Sequence, residues 1–183
     1  GVATPSDGWL SDEFLQSADQ IAHAFAGKAD RALHFPLAVT NPVDVLYNFI
    51  LSQGGRPIDA STGSISLDDD VIASIQFYAD LYHTHHVLAT NAERAGAYTS
   101  TTPLPDFLQG KVPMVAMSTD LVAFLRTAKQ RPAWDIATMP SKASVKQAWS
   151  PDGSTAALTK ASIELESAWL LAKYLATGPG MQL

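Results

Sequence analysis

Three histidines, His83, His85 and His86, close one apolar segment of this chain, and three aspartates, Asp68, Asp69 and Asp70, open it. Side chains of both types hold cations, so spacing decides. Metal-binding histidines on a helix sit four residues apart. His83 and His85 are two apart and share no helix face. Histidines at a helix C-terminus are served equally well by the macrodipole. The aspartate run lacks the ligand spacing of a calcium loop and suits the positive end of a helix. No GxSxG elbow, no HExxH and no glycine-rich phosphate loop occurs. Eighteen acidic residues could supply a carboxylate pair, but spacing alone selects none. The chain has no cysteine, which removes disulfides, thiolate metal sites and a Cys nucleophile. No catalytic residue, metal or cofactor is therefore nominated.

The remaining candidates are polar and aromatic residues in turns. Asn41 precedes Pro42, with Asp44 two residues beyond. Ser118, Thr119 and Asp120 follow an apolar run, and Trp149 precedes Ser150-Pro151-Asp152-Gly153. Asn41, Ser118 and Thr119 read equally as helix caps. Asp120 is either a hydroxyl acceptor or a charge that favours a helix start. No helix or strand period calls for a core aromatic at Trp149, so it either meets a ligand or packs as an interface residue.

Several elements must position these turns. Asp12 and Glu13 open a helix capped by Ser11, with Phe14, Ala18, Ile21, Ala22 and Phe25 on one face. Ala32 to Leu37 reads as a short strand limited by Pro36. Asn41-Pro42 starts a second helix with Leu46, Phe49 and Ile50 as its stripe, ended by Gly54-Gly55. Asp68 to His83 is a third helix, with Ile72, Ile75, Ala79 and Tyr82 as its buried face. Residues 87–105 read as surface with one helical turn, and Asp106 to Gly110 as a short helix. Val112 to Met117 is a strand leading into a helix from Ser118 to Arg126. Trp134 to Met139 and Ser154 to Leu158 read as strands, and Ser162 to Ala176 as a helix with Ala168, Leu171 and Leu175 inside. Trp9 packs ahead of the first helix, and Trp134 and Trp169 read as core. Strands alternating with helices predict an α/β fold.

The bulk numbers narrow the classes. Hydrophobic residues make up 46% and charged residues 16% of 183, an ordinary globular balance with enough chain for a core. The formal charge of −6, with no basic run, argues against a nucleic-acid partner. No apolar run approaches the roughly 20 residues that span a bilayer. The opening GVATPSDG has neither a leader pattern nor a Met, which suggests a processed chain or an excised piece.

The order of motifs adds a resemblance. DEFL (Asp12 to Leu15), SQGG (Ser52 to Gly55), LDDD before SIQFYADLY (Leu67 to Tyr82), FLQGKVPM (Phe107 to Met114), WDIATMP (Trp134 to Pro140), GSTAALTKAS (Gly153 to Ser162) and AWLLAKYLATGPGMQ (Ala168 to Gln182) follow one another. Together they resemble the C-terminal portion of an extracellular solute-binding protein of the sugar-binding family, the receptor of an ABC importer. The resemblance runs from about Gly8 to the end. It implies a periplasmic-binding-protein-like (type II) lobe, a mixed sheet with flanking helices. Residues 1–152 would be a partial second lobe, and 153–183 a crossing strand and helix returning to a first lobe whose N-terminal part is missing, an incomplete two-lobe architecture.

The resemblance also implies non-covalent capture of a sugar, delivery to an ABC transporter permease, and an extracytoplasmic place, periplasmic or lipid-anchored. It nominates Asn41, Asp44, Ser118, Thr119, Asp120, Trp149, Asp152 and Gly153 for ligand contact. Trp149 would stack on a sugar ring, while Asn41, Asp44, Asp120 and Asp152 orient hydroxyls. Rival readings are a glycoside-active hydrolase and a structural or protein-interaction domain.

Overall fold

The computed structural model describes residues 4–26, 35–59, 61–97, 103–119, 121–129, 132–145, 158, 161 and 163–176. The chain divides into two compact units, Gly1–Ser150 and Pro151–Leu183. In the first, the order is α1 (Ser11–Phe25), β1 (Leu37–Val39), α2 (Pro42–Ser52), α3 (Asp69–His83), α4 (Asn91–Ala97), α5 (Leu104–Leu108), β2 (Met114–Ala116) and α6 (Leu121–Thr127). The second contains α7 (Leu165–Ala176). The described fold is thus α/β: helices around a small parallel sheet.

Strands β1 and β2 pair in parallel, Leu37 with Met114, Ala38 with Val115 and Val39 with Ala116. Leu37 also bridges Leu88 in parallel on its other edge. The order across the sheet is therefore Leu88, β1, β2. Alternation along β1 splits its side chains between two cores. Leu37 and Val39 face Phe14, Ala18, Val45, Phe49, Tyr78 and Leu81. Ala38 faces Leu104, Phe107, Val112 and Leu125. Helices thus cover both faces, which explains why all three β1 residues are buried and apolar.

The first core is aromatic. Phe49 is fully buried, and its ring lies 6.2 Å from Phe14, 6.1 Å from Phe77 and 5.4 Å from Tyr78. Trp9 stands edge-on to Phe14 at 5.5 Å. Helices α2 and α3 meet at Gly55, where a Cβ would lie 2.7 Å from Ile50 Cγ2 and 3.1 Å from the Val71 Cα. Only glycine lets the chain turn so close to α3.

Several expectations are corrected. The first strand lies at Leu37–Val39, after Pro36 rather than through it. Proline has no N–H to give a ladder, and the Pro36 carbonyl instead accepts from Met114 N at 3.0 Å. Ser11 lies inside α1, whose N-cap is Leu10. Val87, Leu88 and Ala89 are buried beside β1 rather than on the surface. Helix α3 buries Val71, Ser74, Tyr78 and Leu81, whereas Ile72 and Ile75 are exposed. The segment 134–139 carries no ladder. It is held to the N-terminal turn instead: Trp9 Nε1 donates to the Thr138 carbonyl at 2.7 Å, and Leu10 bridges Ser141 in parallel. Trp134 is partly buried against the second core. Trp169 is not core: it is 57% exposed, and Leu171 is exposed with it. The expected strand 154–158 lies outside the described residues except for Leu158.

Candidate functional site

Two of the nominated turns meet at the carboxyl ends of the paired strands. The chain leaves β1 through Thr40 and Asn41 into α2, and leaves β2 through Met117, Ser118 and Thr119 into α6. The parallel register puts these exits side by side. Thr40 fastens them: its N–H donates to the Ala116 carbonyl at 3.1 Å, and its hydroxyl donates to the same oxygen at 3.3 Å. Sequence reasoning missed Thr40. A threonine one residue past a short strand carries no signal until the partner strand is known.

The strand order gives this edge its geometry. From β1 the chain runs through α2 and α3 to Leu88 on one side, then through α4 and α5 to β2 on the other. The exits of β1 and β2 are therefore neighbours at one edge, and the carboxyl ends of the strands are where open α/β sheets bind ligands.

Asn41 is the N-cap of α2. Its Oδ1 accepts from Val43 N at 3.1 Å and Asp44 N at 3.5 Å, and Pro42 follows at the first helical position. Its Nδ2 donates to Asp44 Oδ2 at 2.5 Å. Both residues are exposed. Two of the α2 backbone donors are thus taken by Asn41, and the Asp44 carboxylate stands over the same turn. Such a helix start repels an anion, although an uncapped one attracts it. It leaves carboxylate acceptors for neutral hydroxyls. Val43, 73% exposed, adds an apolar contact beside them.

Ser118 is half-buried and Thr119 exposed. Their carbonyls accept from Leu121 N at 3.3 Å and Val122 N at 3.1 Å, turning the chain into α6. Asp120, Trp149, Asp152 and Gly153 lie outside the described residues. The turn that carries Asn41 and Asp44 and the turn that carries Ser118 and Thr119 thus leave neighbouring strands, although they come from two separate parts of the sequence.

Elsewhere the described residues offer less. A recess beside β1, lined by Leu37, Val39, Tyr82, Leu88 and Arg94 among others, has a cavity volume of about 10 Å³, room for a single water at most. That falls below the roughly 300 Å³ at which small-molecule pockets begin. His83 ends α3, and His86 takes a left-handed φ of 51°. Among the described residues no three His, Cys, Asp or Glu side chains converge to hold a metal ion, and no helix is long and apolar enough to cross a membrane.

No protein-family model, curated protein or solved structure matches the chain.

Proposed function

We propose that the chain is part of a carbohydrate-binding receptor of an ABC importer, with a periplasmic-binding-protein-like (type II) lobe and an extracytoplasmic place of work. One observation carries this reading: two polar turns, Thr40 to Asp44 and Ser118 to Thr119, lie side by side at the carboxyl ends of β1 and β2. The motif order described above points the same way. The charge of the α2 start selects the ligand class. With Asp44 over a capped helix start, a neutral polyol fits and a phosphate or carboxylate does not.

In this reading Asn41 and Asp44 hold hydroxyls, Ser118 and Thr119 contribute from the neighbouring turn, and Asp120 accepts a further hydroxyl. Trp149 lays its ring against the C–H face of the sugar. Capture is non-covalent, and any closure around the sugar is driven by its higher affinity for the closed state.

Isothermal titration against a panel of neutral mono- and oligosaccharides tests the proposal. A saturable heat with at least one sugar, no release of reducing ends, and a roughly tenfold loss of affinity in Trp149→Ala is the expected result. Turnover of a glycoside would instead favour the hydrolase reading. No heat with any sugar would remove the receptor reading.

A further inference from the structure

The described surface of the first unit carries five exposed aliphatic side chains in one stretch of sequence. Ile58 is 51% exposed, Ile65 80%, Leu67 65%, Ile72 54% and Ile75 38%. Isolated exposed aliphatics are ordinary, but a grouped set marks an interface. Local structure pairs four of them, two in a hairpin and two on a helix, with Leu67 between. Ile58 and Ile65 form an antiparallel bridge. Asp59 N donates to the Ser64 carbonyl and Ser66 N to the Pro57 carbonyl, each at 2.9 Å. Ile58 and Ile65 are thus the pair between those hydrogen bonds, with side chains together on one face. Leu67 follows two residues after Ile65, just before α3. Ile72 and Ile75, three apart, share the flank of α3 beside its buried stripe.

The hairpin is held in shape without help. Asp59 Oδ1 accepts from Ser61 N at 2.8 Å and Ser61 Oγ at 2.6 Å, and Gly63 N donates to the Asp59 carbonyl at 2.7 Å. A preformed apolar face loses little entropy on binding.

Its charge is of one sign, although Asp68 also caps α3 by accepting from Val71 N and Asp80 accepts from Gln76 and Thr84. Residues 57–82 contain Asp59, Asp68, Asp69, Asp70 and Asp80 and no Lys or Arg. The preceding Arg56 donates to the carbonyls of Leu51 and Gly55. From outside the stretch, the Lys142 ammonium lies 3.9 Å from Asp70 Oδ1.

We propose that this hairpin and the adjoining flank of α3 dock a partner protein through a basic amphipathic helix. Its apolar residues would cover Ile58, Ile65, Leu67, Ile72 and Ile75, and its Lys or Arg side chains would face the aspartates. Complementary charge fixes the partner class, and apolar burial supplies the affinity. None of these residues belongs to the turns at the ends of β1 and β2.

Two 18-residue helical peptides with identical leucines, one bearing lysines and one glutamates on the polar face, serve as probes of the whole chain by fluorescence anisotropy. The lysine peptide binds at least about tenfold tighter than the glutamate peptide, and added salt weakens it. Ile65→Ser combined with Ile72→Ser lowers its affinity roughly tenfold, and Asp69→Asn lowers it less. All these residues are exposed, and unchanged circular dichroism and melting confirm that the variants fold. Equal binding of the two peptides, or full binding by the double variant, overturns the proposal. So does concentration-dependent dimerisation that the double variant abolishes, because the face would then serve a second copy of the chain.

Discussion

Asn41 does two jobs with one amide. Its Oδ1 caps α2, and its Nδ2 holds the Asp44 carboxylate. Losing the cap costs about 1 kcal/mol, so Asn41→Ala should lower the unfolding free energy by that amount and the urea midpoint with it. Asn41→Ser keeps a capping oxygen and removes only the amide donor, so it should recover most of the stability and none of the contact to Asp44. Equal midpoints for the two variants would show that the cap does not hold α2.

Glu93 offers a second test at the scale of one residue. Its carboxyl is held below its ordinary value of 4.5 by the Thr90 hydroxyl, then by the Thr90 backbone N–H, with weaker help from His86 and His83. Glu93 Oε2 accepts from Thr90 Oγ1 at 2.6 Å and Thr90 N at 2.8 Å. A depressed carboxyl stabilises the fold above its unfolded value, and that contribution fades as pH falls through the lower folded value. Thr90→Ala should therefore destabilise α4 at neutral pH and flatten the loss of stability below about pH 4.5. Hydrogen exchange of the α4 amides as a function of pH reads this directly; an unchanged acid limb would contradict it.

At the scale of elements, caps and turns are strong local signals, while faces and pairings depend on the partner. Asn41-Pro42 placed α2 correctly because cap and proline act within four residues. The buried face of α3 was misread because two stripes with helical spacing compete in its sequence. Ile72, Ile75, Ala79 and Tyr82 form the more apolar one, yet Val71, Ser74, Tyr78 and Leu81 face the core. Ser74 can be buried because its hydroxyl donates to the Asp70 carbonyl at 2.6 Å. The segment from Trp134 to Met139 alternates like a strand, but its attachment runs through Trp9 and Thr138 rather than a ladder. No pattern within those six residues reveals that.

Packing between elements gives the sharpest mutational contrast. Phe49→Ala empties the centre of the aromatic core and should cost about 3–5 kcal/mol. Gly55→Ala adds one methyl against the Val71 backbone and Ile50 and should cost about 1–3 kcal/mol. Chemical denaturation compares them. A neutral Gly55→Ala would mean that α2 and α3 do not approach so closely.

For the whole molecule, alternation of helices and strands announced the α/β class, and the structure gives it as a parallel pair covered on both faces. That the turns of Asn41 and Ser118 leave neighbouring strands was not legible from sequence. More than seventy residues separate them, and only the pairing of β1 with β2 joins their turns. The second unit carries an exposed apolar helix, with Leu165, Trp169, Leu170 and Leu171 each more than half exposed. Sequence periodicity shows which residues are apolar on a helix, but not whether anything covers them.

The central claim is that a neutral sugar is held, unchanged, at the carboxyl ends of β1 and β2. A titration of the isotope-labelled chain with the saccharide panel, followed by amide chemical shifts, tests it most directly and remains sensitive at millimolar affinity. The account predicts shifts concentrated at Thr40 to Asp44 and at Ser118 to Leu121, with the sugar recovered intact. Shifts confined to other parts of the chain, or none with any sugar, would contradict it.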